Sequence, residues 1–308
     1  MLRAWAAPKF TIGICATDES ADIAELVTSL LAEADGLHSR LQRIVVVASA
    51  CPAETVSCLR RLQEKEGRID LLVEDRRNGK ADAINKILVR ARSPLVLFVN
   101  SDARPQPGAL TKLLSSMDSN ENIGAVAAVP QLDAGTGLVS LLLHFMWSAH
   151  NDCSVLLNHM NLSNHSCDEM VLLRTSAISL LPQDTVNDGA FLAATARIRG
   201  YSIKVSTGAK VRIKTPKRIT DVILQRRRIL FGHAQVWRQI GTPPRTIESL
   251  LFLSPATGAR ILVTTLARRP RSLLAIPAAL ICEVTATLLS ILDSVNSSKT
   301  HAVWRRFR

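Results

Sequence analysis

Along the first hundred positions apolar residues gather in short continuous runs, at Phe10 to Ala16, Arg43 to Ala48, Asp70 to Val73 and Leu95 to Asn100. Runs of this length, rich in β-branched residues and bounded by polar segments, predict strands buried on both faces. Between them, at Ile23 to Ala34 and Ala81 to Ala91, apolar residues return every three or four positions and predict amphipathic helices. Strand and helix in alternation predict an α/β fold, with a mostly parallel sheet and helices on both faces. Ligands of such sheets bind beyond the carboxyl ends of the strands. The residues that follow each strand therefore carry most weight: Thr17-Asp18-Glu19, Ser49-Ala50, Glu74-Asp75 and Ser101-Asp102.

From about Ile123 the pattern changes to a strand at Gly124 to Val129, a long helix at Leu138 to Asn158 and a weaker series reaching about Arg212. A basic helix follows, Ile219 to Trp237, carrying Gln225-Arg226-Arg227-Arg228. Two apolar stretches come after Pro243-Pro244: Ser249 to Ala267 and Leu273 to Leu292, split by Arg268-Arg269-Pro270-Arg271. The second is long enough to span a bilayer but contains Pro277 and Glu283, and the first contains Pro255, Gly258 and Arg260. With basic residues at both ends of each stretch, charge favours neither topology. The expectation is helices that lie in or dip into a membrane interface, the alternative being helices packed on a soluble domain or in a dimer contact. The chain then divides into a main domain over 1–240, with halves at about 10–122 and 123–240, and a helical segment over 245–308.

Composition narrows the partners. The 38 Lys+Arg against 26 Asp+Glu, a net charge of +12, call for acidic ones: nucleic acid, an anionic lipid surface or a phosphorylated substrate. A single Tyr and 4% aromatic content disfavour the stacking platforms that bind single-stranded nucleic acid, so nucleic acid is set aside. The six cysteines form no C-x-x-C pair, and several sit in apolar runs, so they are read as reduced, mostly buried thiols of a cytosolic compartment. Residues 1–9 lack the apolar centre of a secretory signal peptide.

Four short segments can carry chemistry, and each also has an ordinary reading. Asn100 and Asp102 end a strand and offer hard oxygen ligands to Mg²⁺ or Mn²⁺ on a diphosphate, or simply form a turn. Asn78-Gly79-Lys80 joins a strand to a helix whose free amides and lysine can face a phosphate, or it is a helix start with a surface lysine. Asp188, placed in a loop before a helix at Phe191 to Arg199, can act as a general base or cap that helix. Gln225 and Arg228 lie one turn apart and can hold a diphosphate, whereas Arg226 and Arg227 are read as a solvated or lipid-facing basic surface.

In order and rough spacing this series resembles the family 2 glycosyltransferases, over residues 10 to 238. The family's opening strand end is matched by Thr17-Asp18-Glu19, its G-K-x-x-A-x-N segment by Gly79 to Asn85 and its D-x-D strand end by Asn100 to Asp102. The acidic acceptor-side pair is matched by Asn187-Asp188 and the Q-x-x-R-W box by Gln225 to Ile229. Cys167-Asp168-Glu169-Met170 looks like the segment that lines the acceptor site.

The resemblance implies a GT-A fold, a nucleoside-diphosphate sugar donor, expected to be UDP-linked, Mg²⁺ or Mn²⁺, and transfer with inversion. It makes Asp188 the catalytic base, Asp102 and Asn100 the metal ligands, and Asp168 and Glu169 acceptor contacts. Thr17, Glu19, Ser49, Lys80, Asn85, Asp102, Gln225 and Arg228 become donor contacts. The box is typical of membrane-associated branches that build polysaccharides or glycolipids, so a lipid-linked or glycan acceptor at the cytoplasmic membrane face is expected. The chain departs from the pattern at Ala48-Ser49-Ala50-Cys51, where the base-reading Asp is missing, and at Asn100, Asn187 and Ile229, which stand for Asp, an acidic residue and Trp. These departures motivate the alternative of a chain that binds a nucleotide sugar or a membrane partner without catalysis.

Overall fold

The structure is a computed structural model that describes residues 7–17, 20–37, 40–296 and 301–303, with the side chains of 20–22 excepted. The first half runs β1 (Phe10–Ala16), α1 (Ser20–Asp35), β2 (Leu41–Ser49), α2 (Ala53–Lys65), β3 (Ile69–Glu74), α3 (Lys80–Arg90), β4 (Leu95–Asn100), β5 (Arg104–Pro105) and α4 (Ala109–Asp118). There follow β6 (Ile123–Leu132), α5 (Gly137–His159), β7 (Met170–Arg174), α6 (Asp188–Ile198), β8 (Ser202–Ile213) and α7 (Ile219–Ile240). Three helices close the chain: α8 (Ile247–Leu253), α9 (Pro255–Arg268) and α10 (Ile276–Val295), with a 3-10 turn at Pro270–Ala275 before the last.

All eight strands form one sheet in the order β3-β2-β1-β4-β7-β6-β8-β5, so the two expected halves share a single sheet. β1 pairs in parallel with β2 and β4, and β2 with β3, whereas β7 runs antiparallel to both β4 and β6. Ile12, Ile14, Ile44, Val46, Leu95 and Leu97 are fully buried under α1 and α4 on one face. On the other face Val45, Val96 and Val171 pack against Ile84 and Ile87 of α3 and Phe191 of α6. Both faces are apolar because both are covered, which is why these strands read as continuous apolar runs rather than alternating ones.

This topology decides where the site falls. Strand order reverses at β1, and the carboxyl ends of β1 and β4 open there beside the start of α3. Because β7 is antiparallel to β4, the residues that enter β7 arrive at the end where β4 exits: Val99 faces Met170, and the Asn100 amide donates to the Glu169 carbonyl at 3.0 Å. Gly13 lets α3 sit close to the sheet, since a Cβ there would meet Ile87 at 2.6 Å and Phe98 at 2.9 Å. Contacts that close cannot be absorbed by a dense interior.

The C-terminal helices form a third layer over α5 and α7. Leu142, Phe145 and Val222 pack against Ala275, Ala279 and Cys282, and Cys153 and Leu157 against Ile247, Leu250 and Ile261. The first apolar stretch breaks at Ser254-Pro255 into two helices, because Pro255 has no amide to continue α8. Arg226 and Arg227 correct the expectation of a solvated or lipid-facing surface: they are the ionic ties between layers. Arg226 lies between Glu248 of α8 and Glu283 of α10, and Arg227 pairs with Asp293, which is 1% exposed in its side chain. The six cysteines are all free; Cys153 and Cys282 are buried, and the others partly so.

Candidate active site

At the switch point, segments far apart in sequence meet around one ammonium. Gly79, with φ +96°, turns the chain into α3 and sets Lys80 as its first residue. The Lys80 Nζ lies 2.7 Å from Asp168, just before β7, and 3.0 Å from Asp188. Asp188 is not a loop residue but the first residue of α6, and it does not cap the helix: the Asn187 side chain does, accepting from the Ala190 amide at 3.1 Å. At that position the helix dipole favours a carboxylate. Next to this group Asn100 donates from Nδ2 to the Glu169 carboxylate at 2.8 Å, and Asp102 stands two residues beyond Asn100.

Burial and charge act against each other here. Burial raises the Asp188 pKa, and the attraction of Lys80 draws it back down in part. Burial also opposes the charge on Asp168, but Lys80 more than offsets it and holds that carboxylate below its ordinary range. For Glu169 the balance goes the other way: burial, followed by Asp168 and Asp102, outweighs the bond from Asn100 and the attraction of Lys80 and pushes it up to about 8. Burial likewise raises Asp102. Asp188, raised by burial and 3.0 Å from Lys80, is a candidate to accept a proton from a hydroxyl.

The loop that leads into Asp188 is fixed by α7. Arg228 donates to the Val186 carbonyl at 3.1 Å, and Gln235 accepts from the Val186 amide at 2.9 Å while donating to Asp184. Gly232 lies on the same face, and a Cβ there would meet Asn187 at 2.7 Å. A Cβ on Gly189 would meet Asp168 at 2.7 Å, so Gly189 sets how near the two carboxylates approach. Behind Asp168, the rings of His150, His165 and His233 pack edge to face at 5.8 and 5.2 Å, and burial lowers all three pKa values.

A sequence profile for glycosyl transferase family 2 matches residues 11–179, more than half of the 308-residue chain. The chain belongs to that family. A search of curated proteins found no match. Among solved structures, the mannosyltransferase PcManGT from Pyrobaculum calidifontis, in complex with GDP-Man and Mn²⁺, is similar with a TM-score of 0.67 at 20% identity, covering 96% of this chain and 89% of that one. Glucosyl-3-phosphoglycerate synthase from Mycobacterium tuberculosis, in complex with Mn²⁺, UDP and phosphoglyceric acid, has a TM-score of 0.52 at 16% identity, with 77% of this chain and 80% of that one covered. These likenesses establish the GT-A fold.

Within this family 2 fold, Lys80, Asp168 and Asp188 are in direct contact, and Asn100 and Glu169 in another contact beside them. Thr17 follows β1 directly, and Glu19 lies outside the described residues. Ser49 ends β2 and donates to Glu74 at 2.6 Å, where Lys86 also binds. Asn85 is turned the other way: its amide both donates to and accepts from the Leu181 backbone, each at 2.8 Å, and so ties α3 to the loop over 175–187. Arg228 reaches the site through Val186, one turn beyond Gln225. Sequence reasoning passed over Gln235, although it lies two helical turns from Arg228 and so on the same face. It also passed over His301 and Ala302. Ala302 brings its carbonyl to 3.1 Å from where a Gly79 Cβ would stand, and the His301 carbonyl accepts from Arg228 at 3.5 Å.

The oxygen donors of Asn100, Asp102 and Glu169 suit a hard divalent cation. Among the described residues no three acidic, His or Cys side chains form a ready-made cage. That fits Mg²⁺-type sites, where one or two carboxylates act with substrate phosphates. Asp102 and Asn100, at the end of β4, could hold such an ion.

Proposed function

We propose that this chain is an inverting glycosyltransferase that moves a sugar from a nucleoside-diphosphate donor, UDP-linked in the first instance, to a lipid-linked or glycan acceptor at the cytoplasmic face of a membrane. The observation that carries the reading is the contact of Lys80 with both Asp168 and Asp188, since it joins the donor-side loop to the candidate base across a sequence gap of about a hundred residues. Asp188 takes the proton of the acceptor hydroxyl as its oxygen attacks the anomeric carbon. The bond from that carbon to the diphosphate breaks on the opposite face, and the configuration inverts. Arg228 and Gln225 hold the departing diphosphate, and Asp102 would hold a divalent ion, which would supply positive charge to offset that of the diphosphate. Thr17, Glu19, Ser49 and Asn85 line or support the nucleotide side.

The membrane part of the reading draws on the C-terminal layer. Pro270–Val295 is long and apolar enough to cross a bilayer by length and composition, yet Glu283 and Asp293 tie it to α7. Its outer face leaves Ile281, Val284, Leu288 and Leu292 exposed, and Phe252 of α8 is 86% exposed. With Arg260, Arg268, Arg269 and Arg271 nearby in sequence, this supports a layer that lies in the interface of an anionic membrane.

The test is sugar release and transfer with a panel of nucleotide sugars and Mn²⁺. Asp188→Asn should lower transfer about 10²–10⁴-fold, the range of a lost general base, while still binding donor. Asp102→Ala should lose metal-dependent donor binding as well. Activity near wild type in both variants would sink the assignment. Binding without turnover in the wild type would instead favour a chain that only holds a nucleotide sugar, a reading motivated by the missing base-reading Asp at Ala48-Ser49-Ala50-Cys51 and by Asn100 and Asn187.

A further inference from the structure

The first position of the D-x-D-like strand end holds Asn100, an amide that cannot supply the charge of the usual carboxylate. The strand beside it supplies one. Glu169 directly precedes β7, and the backbone bond from the Asn100 amide to the Glu169 carbonyl, 3.0 Å, fixes the register. Asn100 Nδ2 then reaches the Glu169 Oε2 at 2.8 Å. The two residues are 69 positions apart in the chain and adjacent only because β7 is antiparallel to β4.

Glu169 is also under-used as an acceptor. A carboxylate has two oxygens and about four acceptor sites. Among the described residues the bond from Asn100 is its sole side-chain hydrogen bond, and it makes no ion pair there. Asp168 does not share this state, because Lys80 engages it directly. A half-buried carboxylate without a cation, one side chain away from the family's metal-holding strand end, points to a cation as its missing partner.

We infer that Glu169 is a charged ligand of the divalent metal, replacing the acidic residue absent at position 100, and that Asn100 is a positioning residue that orients it through Nδ2. The carboxylate has moved from β4 to the start of β7 while its place in space is kept. Glu169 thereby leaves the acceptor site, to which the sequence pattern assigned it, and Asp168 remains there. The inference rests on the reading of the site as a metal-assisted glycosyltransferase centre.

The experiment is Mn²⁺ titration of the full chain followed by electron paramagnetic resonance of the free ion, with Mn²⁺ alone and with UDP or GDP present. The variants are Asp102→Asn, Glu169→Gln, and the exchange Asn100→Asp with Glu169→Gln, all checked for folding by thermal melting. Asp102→Asn and Glu169→Gln should each weaken Mn²⁺ binding by about tenfold or more, at least the loss seen when outer-shell partners of a metal are removed. The exchange should recover most of that loss, because it returns the carboxylate to β4. If Asp102→Asn weakens Mn²⁺ binding and Glu169→Gln does not, Glu169 is no ligand and the inference falls, while the metal-assisted reading stands. If folded wild type binds no Mn²⁺, or neither single variant changes its binding, both fall.

Discussion

Lys80 is the residue on which the proposed donor and acceptor sides meet. Its ammonium is 3.0 Å from Asp188, and it lowers a carboxylate pKa that burial has raised. The base acts as the anion, so the rate should fall as pH drops through the Asp188 pKa. Lys80→Met removes the attraction and leaves the burial, which moves that pKa upward. The acidic limb of kcat against pH, measured at saturating donor and acceptor, should therefore shift to higher pH in Lys80→Met. An unmoved limb would mean that Lys80 does not bear on the base. The positions of Asn100 at a strand end and Lys80 at a helix start were legible in the sequence, whereas Asp188 was expected in a loop and is the first residue of α6, because the apolar pattern marks that helix only from Phe191. The pairing of Lys80 with Asp168 was not legible, since a contact between residues 88 positions apart leaves no mark in either local segment.

Among the elements, β1 and β4 run over Phe10–Ala16 and Leu95–Asn100 as expected and β2 and β3 lie within two residues of their expected bounds, whereas β6 runs three residues past its expected end and β5, β7 and β8 had no expected bounds. Apolar runs bounded by polar turns carry that information directly. The C-terminal helices were legible as apolar stretches, but their docking was not, because a glutamate in an apolar helix looks the same whether it is paired or lipid-facing. Arg226 decides it by joining Glu248 of α8 and Glu283 of α10. Replacing Arg226 by Met leaves two part-buried carboxylates facing each other without a cation. Breaking a buried pair from one side costs about 3–5 kcal/mol, and here two pairs share the lost partner. Arg226→Met should lower the melting temperature clearly, with the loss seen first as weakened protection of α8 and α10 in hydrogen exchange. Unchanged protection in those helices would show that apolar packing alone holds the layer.

At the scale of the whole molecule, the outer layer and the donor site are joined by the stretch at residues 301–303. His301 bonds to Asp293 at 2.8 Å and packs edge-on against Phe231 at 4.9 Å, next to a cleft of about 330 Å³ that Asp184, Val186 and Gln235 also line. From that anchor the backbone carbonyls of His301 and Ala302 turn toward Arg228 and Gly79, the groups expected to meet the donor diphosphate. Carbonyl oxygens and phosphate oxygens compete for the same donors and repel each other, so with a diphosphate at the proposed donor site the segment would compete for Arg228. Ending the chain after Asn296 should therefore tighten binding of UDP or GDP with Mn²⁺ several-fold in calorimetric titration. The apolar face of α10 precedes the segment directly, so vesicles containing anionic phospholipid should raise nucleotide affinity in the full chain more than in the shortened one. Weaker nucleotide binding in the shortened chain would reverse the argument: the segment would then be a wall of the donor site rather than its competitor.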